Sequence, residues 1–427
     1  MASKRFDVVV FGATGFSGAL VARYLAAEPE SALDSPTALQ WAIAGRSETK
    51  LEQVKVMLKA QVPSTRAELI DALPTIVADG SDEASLVAMV RQTKVVLSLV
   101  GPYKLHGSLL VKACAENGVH YCDLTAELVW MKEMIGKYQK AADQSGAILV
   151  NCCGYEAIPA DLATLLIANK IRQRRNQSTS RVDLYLTDFS GDVSGGTFAS
   201  LFAMVETPTT QQLFDSWNPF YLTDEATLTE KLRMDLVKPN ETSVAIKFDK
   251  NMSLWSAVWL GGGVNQAIVH RSNFLKREKY GAKLVVSERL AKGGMLMQLL
   301  ITIGSVALGV AMFFSWTRSL LKKLVPPPGQ GPSEETMQNG YITINAAGYS
   351  EDGQLAVTGQ ITATTDPGYL LTSRMIVETA FCLAKGEIEP EFAGKGGFLT
   401  PACAVGRHLA DRLQRKSILS IELADAQ

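Results

Sequence analysis

A glycine-rich segment after the first apolar run restricts the fold of this chain more than any other feature. It reads Gly12-Ala13-Thr14-Gly15-Phe16-Ser17-Gly18 and separates the β-rich run Phe6–Phe11 from a helix predicted near 17–28. Glycines at such a junction allow a tight turn and let a pyrophosphate approach closely. The free backbone amides at the start of the helix then bind the pyrophosphate. The spacing is a variant of the usual fingerprint, with the first glycine one residue earlier. We predict a dinucleotide site at Gly12, Ala13, Thr14, Gly15, Phe16 and Gly18; the alternative is a tight turn without a ligand.

The first 151 residues alternate short β-rich runs with amphipathic segments. Such alternation is typical of a parallel sheet with helices on both faces. The predicted strands are Phe6–Phe11, Leu39–Ala44, Thr75–Ala78, Val95–Val100, Val119–Cys122 and Ala147–Val150. The predicted helices lie near 17–28, 47–60, 82–92, 106–117 and 127–144. We therefore predict an α/β fold with a Rossmann-type, doubly wound parallel sheet over residues 1–151.

The rest of the chain has a more irregular pattern, which predicts a second, mixed α+β domain over 152–394 for substrate binding and dimerisation. It includes a hairpin of Gly340–Ala347 and Gln354–Ala363 and a helix near 369–385. A helix near 402–414 and a strand near 417–423 follow. We expect residues 395–427 to return to the Rossmann-type sheet, so that the two domains interleave.

Composition excludes several classes of protein. Of the 427 residues 47% are hydrophobic and 20% are charged, which is typical of a globular chain. A net charge of -1 provides no overall field for a nucleic acid, and we expect no nucleic-acid partner. The six cysteines and four histidines have no zinc-ligand spacing, so no metal site is expected. No signal peptide is expected either, because the first hydrophobic run reads as a strand.

The end of the second predicted strand indicates which dinucleotide binds. An NAD site usually has an acidic residue there for the ribose 2′-hydroxyl, whereas this chain has Arg46, Ser47 and Lys50. These residues suit a 2′-phosphate, so NADP(H) is favoured over NAD(H); the alternative for Arg46 is a solvent-exposed arginine at a helix start. Asp79, after the third strand, is expected either to face the adenine or to form a simple turn.

Ligands of doubly wound sheets lie beyond the carboxyl ends of the strands. The fourth strand ends in Val100, Gly101, Pro102 and Tyr103, which we therefore expect beside the nicotinamide ribose. Tyr103 is a candidate proton donor, and packing against a wall of the site is an equal alternative. The other catalytic candidates, expected at the same end of the sheet, are Asp123, Glu127, Tyr155 and Glu156. Helix-start stabilisation is the alternative role of Glu127, and strand capping is that of Asp123.

Together, these motifs resemble the saccharopine dehydrogenase-like oxidoreductases, which include animal membrane-associated members and mycobacterial trans-acting enoyl reductases. The resemblance spans nearly the whole chain. Besides the motifs above, it rests on Tyr121–Glu127, Gly154–Asp161, Ser194–Thr197, Asp366–Tyr369 and Gly396–Pro401. The chain departs from the family at Thr125-Ala126-Glu127, usually T-G-E, and at Gly154–Pro159, usually G-F-D-S-I-P. The resemblance implies the fold and the cofactor, but it does not identify a substrate.

An uncharged apolar run, Met295–Trp316, is long enough as a helix to cross a bilayer core. Basic residues flank it on both sides, and Gly304-Ser305 would permit a bend. Three interpretations remain open: insertion into one leaflet or a lipid monolayer, burial within the protein or an oligomer interface, and true spanning. The first places the chain on the cytoplasmic face of a membrane or lipid droplet.

These features predict an NADPH-dependent oxidoreductase, expected as a homodimer, that reduces a C=C or C=O group of an apolar, lipid-derived small molecule. One alternative is an amino-acid dehydrogenase of the saccharopine type. Saccharopine carries three carboxylates, but no cluster of basic residues stands out in the middle region. The other alternative is a non-catalytic, membrane-associated scaffold that binds NADPH.

Overall fold

A computed structural model describes residues 4–33, 35, 38–62, 64–192, 194–327 and 329–426. Two sequence features therefore lie partly outside the described residues: the N-terminus where no signal peptide was expected (residues 1–3) and a proline-rich stretch after α15 (Pro328). The strands are β1 Phe6–Phe11, β2 Trp41–Gly45, β3 Thr75–Val77, β4 Thr93–Ser98, β5 His120–Asp123, β6 Ile148–Val150, β7 Thr179–Ser190, β8 Lys247–Asp249, β9 Leu254–Val258, β10 Val285–Leu290, β11 Tyr341–Ser350, β12 Leu355–Ala363, β13 Gly397–Leu399 and β14 Ser420–Asp425.

The helices are α1 Phe16–Ala27, α2 Glu48–Gln61, α3 Ser64–Asp71, α4 Glu83–Val90, α5 Tyr103–His106, α6 Ser108–Asn117, α7 Leu128–Ser145, α8 Ile158–Arg175, α9 Gly195–Glu206, α10 Thr210–Asp215, α11 Glu225–Arg233, α12 Val237–Asn240, α13 Gly262–Leu275, α14 Met295–Phe313, α15 Ser315–Leu324, α16 Glu334–Gln338, α17 Thr372–Lys385, α18 Pro401–Ala404 and α19 Gly406–Arg415. Pro29–Ser31 is a 3₁₀ turn and Pro367–Leu371 a π-helical turn.

The first sheet has the strand order β13-β6-β5-β4-β1-β2-β3, and every pairing in it is parallel. The chain runs outward from β1 through β2 and β3, then continues on the other side of β1 with β4. The direction of winding therefore changes between β1 and β4, and the carboxyl ends of these two strands flank the crevice where such sheets bind ligands. The predicted doubly wound α/β fold is confirmed.

The second sheet is mixed, with the order β14-β12-β11-β7-β10-β9-β8. Helix α8 connects it to the first sheet and packs on β7, β11 and β12. One continuous core joins the two sheets, because Val10 of β1, Leu184 of β7 and Ile361 of β12 belong to the same cluster of buried side chains. The two sheets therefore share a core rather than forming separate units along the chain.

The C-terminal residues divide between the sheets, which corrects the expectation that all of 395–427 returns to the first one. Strand β13 pairs with β6 at the edge of the first sheet. Strand β14 instead pairs with β12, with Ile421 opposite Ile361. Ile421 and Ile361 are both buried in the shared core, and this apolar contact places β14 on the second sheet.

The apolar run forms an exposed helix. Helix α14 is the one helix in the described part of the chain that is long and apolar enough to cross a membrane; the 18-residue window that meets this test has a mean hydropathy of 2.1 and is 11% buried. It continues unbroken through Gly304, so the bend that Gly304-Ser305 would permit is absent from this helix; the chain breaks instead at Phe314, which is extended, before α15 begins. Only Gln298 and Met312 of α14 are buried, so the interpretation of a helix buried within this chain is also wrong.

Candidate functional site

The loop after β1 has a shape that glycine alone fits. Gly12 has a φ of 92°, and a Cβ there would lie 2.7 Å from Val100 Cγ2. A Cβ on Gly18 would lie 2.2 Å from the carbonyl oxygen of Gly12. Gly15 precedes α1 and provides no side-chain cap for its first amides. The close approach of loop and helix leaves these amides to a ligand, and the arrangement fits a dinucleotide pyrophosphate.

The residues after β2 lie where the adenosine ribose would be expected. Arg46 is exposed and forms no ion pair with any residue that the structure describes, so its guanidinium is free to bind a 2′-phosphate. Ser47 caps α2 by accepting a hydrogen bond from the backbone N–H of Lys50 at 3.4 Å. The carboxylate of Asp79 accepts hydrogen bonds from the amide and hydroxyl of Ser81, and these bonds lower its pKa. Asp79 therefore forms the turn that was its alternative interpretation.

Two family motifs without a predicted role, Ser194–Thr197 and Asp366–Tyr369, meet above the glycine loop. The ring of Tyr369 packs edge-on against Phe16, with centroids 5.2 Å apart. The Tyr369 hydroxyl accepts a hydrogen bond from the amide of Ser194 and lies 2.9 Å from Thr197 Oγ1. Asp366 fixes this turn by accepting from the amides of Tyr369 and Leu370. The two motifs thus hold the start of α9 over the loop, a contact that no pattern in the sequence indicates.

The loop that follows β4 is held by two of the catalytic candidates. Glu127 accepts hydrogen bonds from the amides of Tyr103 and Lys104, both at 2.8 Å, and so caps α5. The Tyr103 hydroxyl donates to the carbonyl of Ser98 at 3.2 Å and accepts from the amide of Leu124 at 3.1 Å. Burial raises the pKa of both side chains. These contacts position Gly101 and Pro102, and a catalytic role of the two residues stays a prediction.

Asp123, another catalytic candidate, is fully buried at the end of β5. Its carboxylate accepts from the Tyr121 hydroxyl at 2.8 Å, from Asn151 Nδ2 at 2.7 Å and from the amides of Thr125 and Cys152. Burial raises its pKa to about 7, although these hydrogen bonds oppose the shift. The contacts match strand capping, the alternative role, and catalysis by Asp123 also stays a prediction.

Tyr155 and Glu156 lie in the loop after β6, at the carboxyl end of the first sheet, and both are partly exposed. The structure brings Glu156 near Glu288 of β10, which the sequence analysis did not select. Glu288 is buried and accepts a hydrogen bond from Asn265 Nδ2 at 2.5 Å; burial and the charge of Glu156 raise its pKa to about 7. Glu288 lies between Ser287 and Arg289 in the sequence, and a polar run of this kind gave the sequence analysis no reason to select it.

Comparisons with known proteins now identify the family. Residues 8–150 match the saccharopine dehydrogenase NADP binding domain. A trans-acting enoyl reductase of Mycobacterium tuberculosis is 30% identical over 426 residues, which cover 96% of each chain. That of Mycobacterium leprae is 30% identical over 430 residues, covering 97% of each. The chain belongs to the saccharopine dehydrogenase-like oxidoreductase family.

A solved structure agrees with this family fold. Saccharopine dehydrogenase (L-Glu forming) of Saccharomyces cerevisiae, in its apo form, aligns over 99% of this chain and 100% of its own, with a TM-score of 0.50. At 11% sequence identity the likeness concerns the fold alone.

Membership of the saccharopine dehydrogenase-like family makes the protein an NAD(P)-dependent oxidoreductase, and the non-catalytic alternative is set aside. The cofactor is NADP(H), as Arg46 predicted. The glycine loop and Arg46 are the residues that would hold it; the bound cofactor would supply the hydride. The chain itself supplies the cradle, the positioned loop at Gly101 and buried carboxyl groups at the end of the sheet.

Proposed function

We propose that the protein uses NADPH to reduce a C=C or C=O group of an apolar, lipid-derived substrate at the cytoplasmic surface of a membrane or lipid droplet. The similarity to trans-acting enoyl reductases, at 30% identity over nearly the full chain, supports the direction of the reaction as a reduction. The apolar helix α14 and its position relative to the cofactor loop support the lipid substrate.

The surface of α14 carries the proposal. Leu296, Leu300, Ile303 and Val310 are each at least 55% exposed on this helix. Each such side chain gains about 1.5–3 kcal/mol when it leaves water for an apolar surrounding. A contiguous apolar surface of this kind is typical of a membrane or protein interaction site rather than of a solvated helix.

The connections of α14 favour insertion into one leaflet over spanning. The segment 291–340, which contains α14 and α15, begins after β10 and ends before β11, and both strands pair with β7. The segment must therefore begin and end on the same side of a bilayer. If α14 crossed the bilayer, the chain would have to cross it again to reach β11. At 1.5 Å per residue, the ten residues of α15 cover only about 15 Å, which is half the thickness of a hydrocarbon core.

Helix α9 lies between the loop that follows β4 and the segment 291–340. Near its middle, Ser200 approaches Gly101, where a Cβ would lie 3.4 Å from Ser200 Oγ. At its end, Glu206 binds Arg318 at 3.2 Å and Lys322 at 2.8 Å, both on α15. Glu206 follows Ser200 by six positions, which correspond to about 9 Å along the helix. A substrate taken from lipid would thus need to move only a short distance to the nicotinamide.

Membrane association is tested by adding charge to α14. We expect the double variant Leu300→Glu, Ile303→Glu to lose flotation with liposomes, because two carboxylates would enter the hydrocarbon. The matched control, Val56→Glu with Leu232→Glu, changes two residues of similar exposure on α2 and α11 and should float as the wild type does. Equal flotation of the two double variants would contradict the membrane proposal.

The reaction is tested separately with purified protein in nonionic detergent. We expect NADPH oxidation with long-chain enoyl or ketoacyl thioesters, and no NADP⁺ reduction with saccharopine. The reverse pattern would favour the saccharopine-type alternative. Turnover that survives in a Gly15→Val variant which no longer binds NADPH would also contradict the proposal.

A further inference from the structure

A cavity of about 280 Å³ opens in the second domain between β10 and residues 239–247. The family comparisons assign it no role, and it does not include the glycine loop. Its lining is strongly polar and contains three basic side chains. The lining residues that matter here are Arg181, Thr242, Lys247, Gln266, Ser287 and Arg289. The volume is near the lower end of the range for small-molecule sites.

Arg289 is a buried cation without a negative partner. Its side chain is 5% exposed, and Nε donates to Ser256 Oγ at 2.9 Å. The two Nη atoms donate to the carbonyl oxygens of Ser243, Ala245 and Ser256. All of these acceptors are neutral, and no carboxylate in the described part of the chain lies within ion-pair distance. Burying an unpaired charge is costly, so the site favours an anion close to Arg289.

Lys247 adds a second positive charge at the mouth of the cavity. It is exposed and forms no ion pair with a described residue. Burial lowers its pKa, and the charges of Arg289 and Arg181 lower it further. This mutual repulsion is what an anion bound among the three groups would relieve.

The neighbouring acidic groups do not cancel these charges. Asp183 is paired with Arg181, with 2.7 Å between its Oδ2 and Arg181 Nε. Asp249 accepts the Tyr185 hydroxyl at 2.6 Å. Glu241 lies exposed at the rim.

Glu288, at the inner end of the cavity, is bound by Asn265, and its raised pKa, about 7, reduces its negative charge at neutral pH. Among the described residues of the lining, Lys247 and Arg289 are therefore left as the unpaired positive charges.

We propose that this cavity binds a phosphate-type oxyanion between Lys247 and Arg289. Four of the five N–H groups of Arg289 are used in the bonds above, which leaves one Nη1–H that, with the ammonium group of Lys247, suits the acceptor oxygens of a phosphate. The Ser287 hydroxyl, also in the lining, is a further donor. The phosphate could be free or could belong to the headgroup of a lipid, since both present the same group to the cavity.

The test is calorimetric titration of the full-length protein in nonionic detergent at constant ionic strength. Saturating NADPH is present throughout, so that the probes do not bind at Arg46. The probes are inorganic phosphate and dihexanoyl phosphatidic acid. We expect saturable binding that weakens at least tenfold in Lys247→Gln, because one charge-assisted contact is lost. The matched control is Lys250→Gln, which removes an exposed lysine after β8 and should bind as the wild type does.

A tighter complex with dihexanoyl phosphatidic acid than with inorganic phosphate would identify a lipid headgroup as the source, whereas equal affinities would identify the free anion. The proposal is overturned if the wild type binds neither probe, or if Lys247→Gln and Lys250→Gln have the same affinity. Because the readout is binding, the result does not depend on the proposed reaction.

Discussion

Substitution of Gly18 by alanine tests whether the close contact between the glycine loop and α1 creates the cofactor site. The new Cβ would lie 2.2 Å from the Gly12 carbonyl oxygen, and 2.7 and 2.8 Å from Cα and C of Ala13. All three atoms belong to the backbone, so no side chain can rotate away. Loop and helix would have to separate by about 1 Å to restore ordinary contact.

The expected effects follow from this separation. Overpacking against a fixed backbone costs about 1–3 kcal/mol, and the gain in helix propensity from glycine to alanine returns about 0.5–1 kcal/mol. Displaced amides would lose at least one charge-assisted hydrogen bond to the pyrophosphate, worth about 1.5–3 kcal/mol. We therefore expect NADPH affinity to fall roughly 10- to 100-fold, with a modest decrease in the urea midpoint.

The assay is a fluorescence titration with NADPH beside urea unfolding. Gly136→Ala is the matched control, because Gly136 is exposed inside α7 and a Cβ there meets no atom within 4 Å. It should keep wild-type affinity and gain about 0.5–1 kcal/mol in stability. If Gly18→Ala binds NADPH as tightly as Gly136→Ala does, the reasoning from backbone contact is refuted.

Two further predictions concern charge. Arg46→Glu should weaken NADPH roughly 10- to 100-fold and leave NADH binding unchanged or improved, because a carboxylate accepts the ribose 2′-hydroxyl; equal losses for both nucleotides in direct titrations would contradict this, and exposed Arg233→Glu is the control. Glu288 keeps its proton to about pH 7 in the folded protein and releases it near 4.5 when unfolded, so its contribution to stability falls as the pH rises between these values. Urea midpoints measured from pH 4 to 8 should fall less in Glu288→Gln than in the wild type, because buried Asp123, whose pKa is also raised to about 7, contributes a fall of the same sign in both proteins. Exposed Glu335→Gln should follow the wild type, and parallel profiles for Glu288→Gln and wild type would show that the inference is wrong.

The sequence predicted six of the seven strands of the first sheet, because each of the six is a short apolar run bounded by a turn, whereas β13 was expected only as part of the segment that returns to the sheet. The glycine loop was equally clear, since its three glycines fall within seven residues at a strand–helix junction, although the close contact of Gly12 with Val100 exists only in the folded chain. Strand β14 was assigned to the wrong sheet, because pairing between Ile421 and Ile361 depends on packing between distant parts of the chain. Local pattern carries no information about such a contact.

The candidate site was predictable only in part for the same reason. Arg46 follows directly from the end of β2, whereas Tyr369 and Ser194 are 175 residues apart and meet only in the folded chain. The contacts of Asp123 and Glu127 could not be predicted either. A carboxylate near the end of a strand has the same sequence pattern whether it accepts hydrogen bonds from backbone amides or faces a substrate. Glu288 and Arg289 lie in a strand whose sequence gives no hint of the cavity beside it.

The origin of β13 has a consequence for synthesis of the protein. This strand, residues 397–399, forms the edge of a sheet whose other six strands end at residue 150. The first sheet therefore stays incomplete until residue 399 has left the ribosome, although N-terminal domains generally fold first. Helix α14 emerges about a hundred residues before β13. Its apolar surface would thus leave the ribosome while the edge of β6 is still unpaired, and, if α14 binds a membrane as proposed, attachment would precede completion of the cofactor domain.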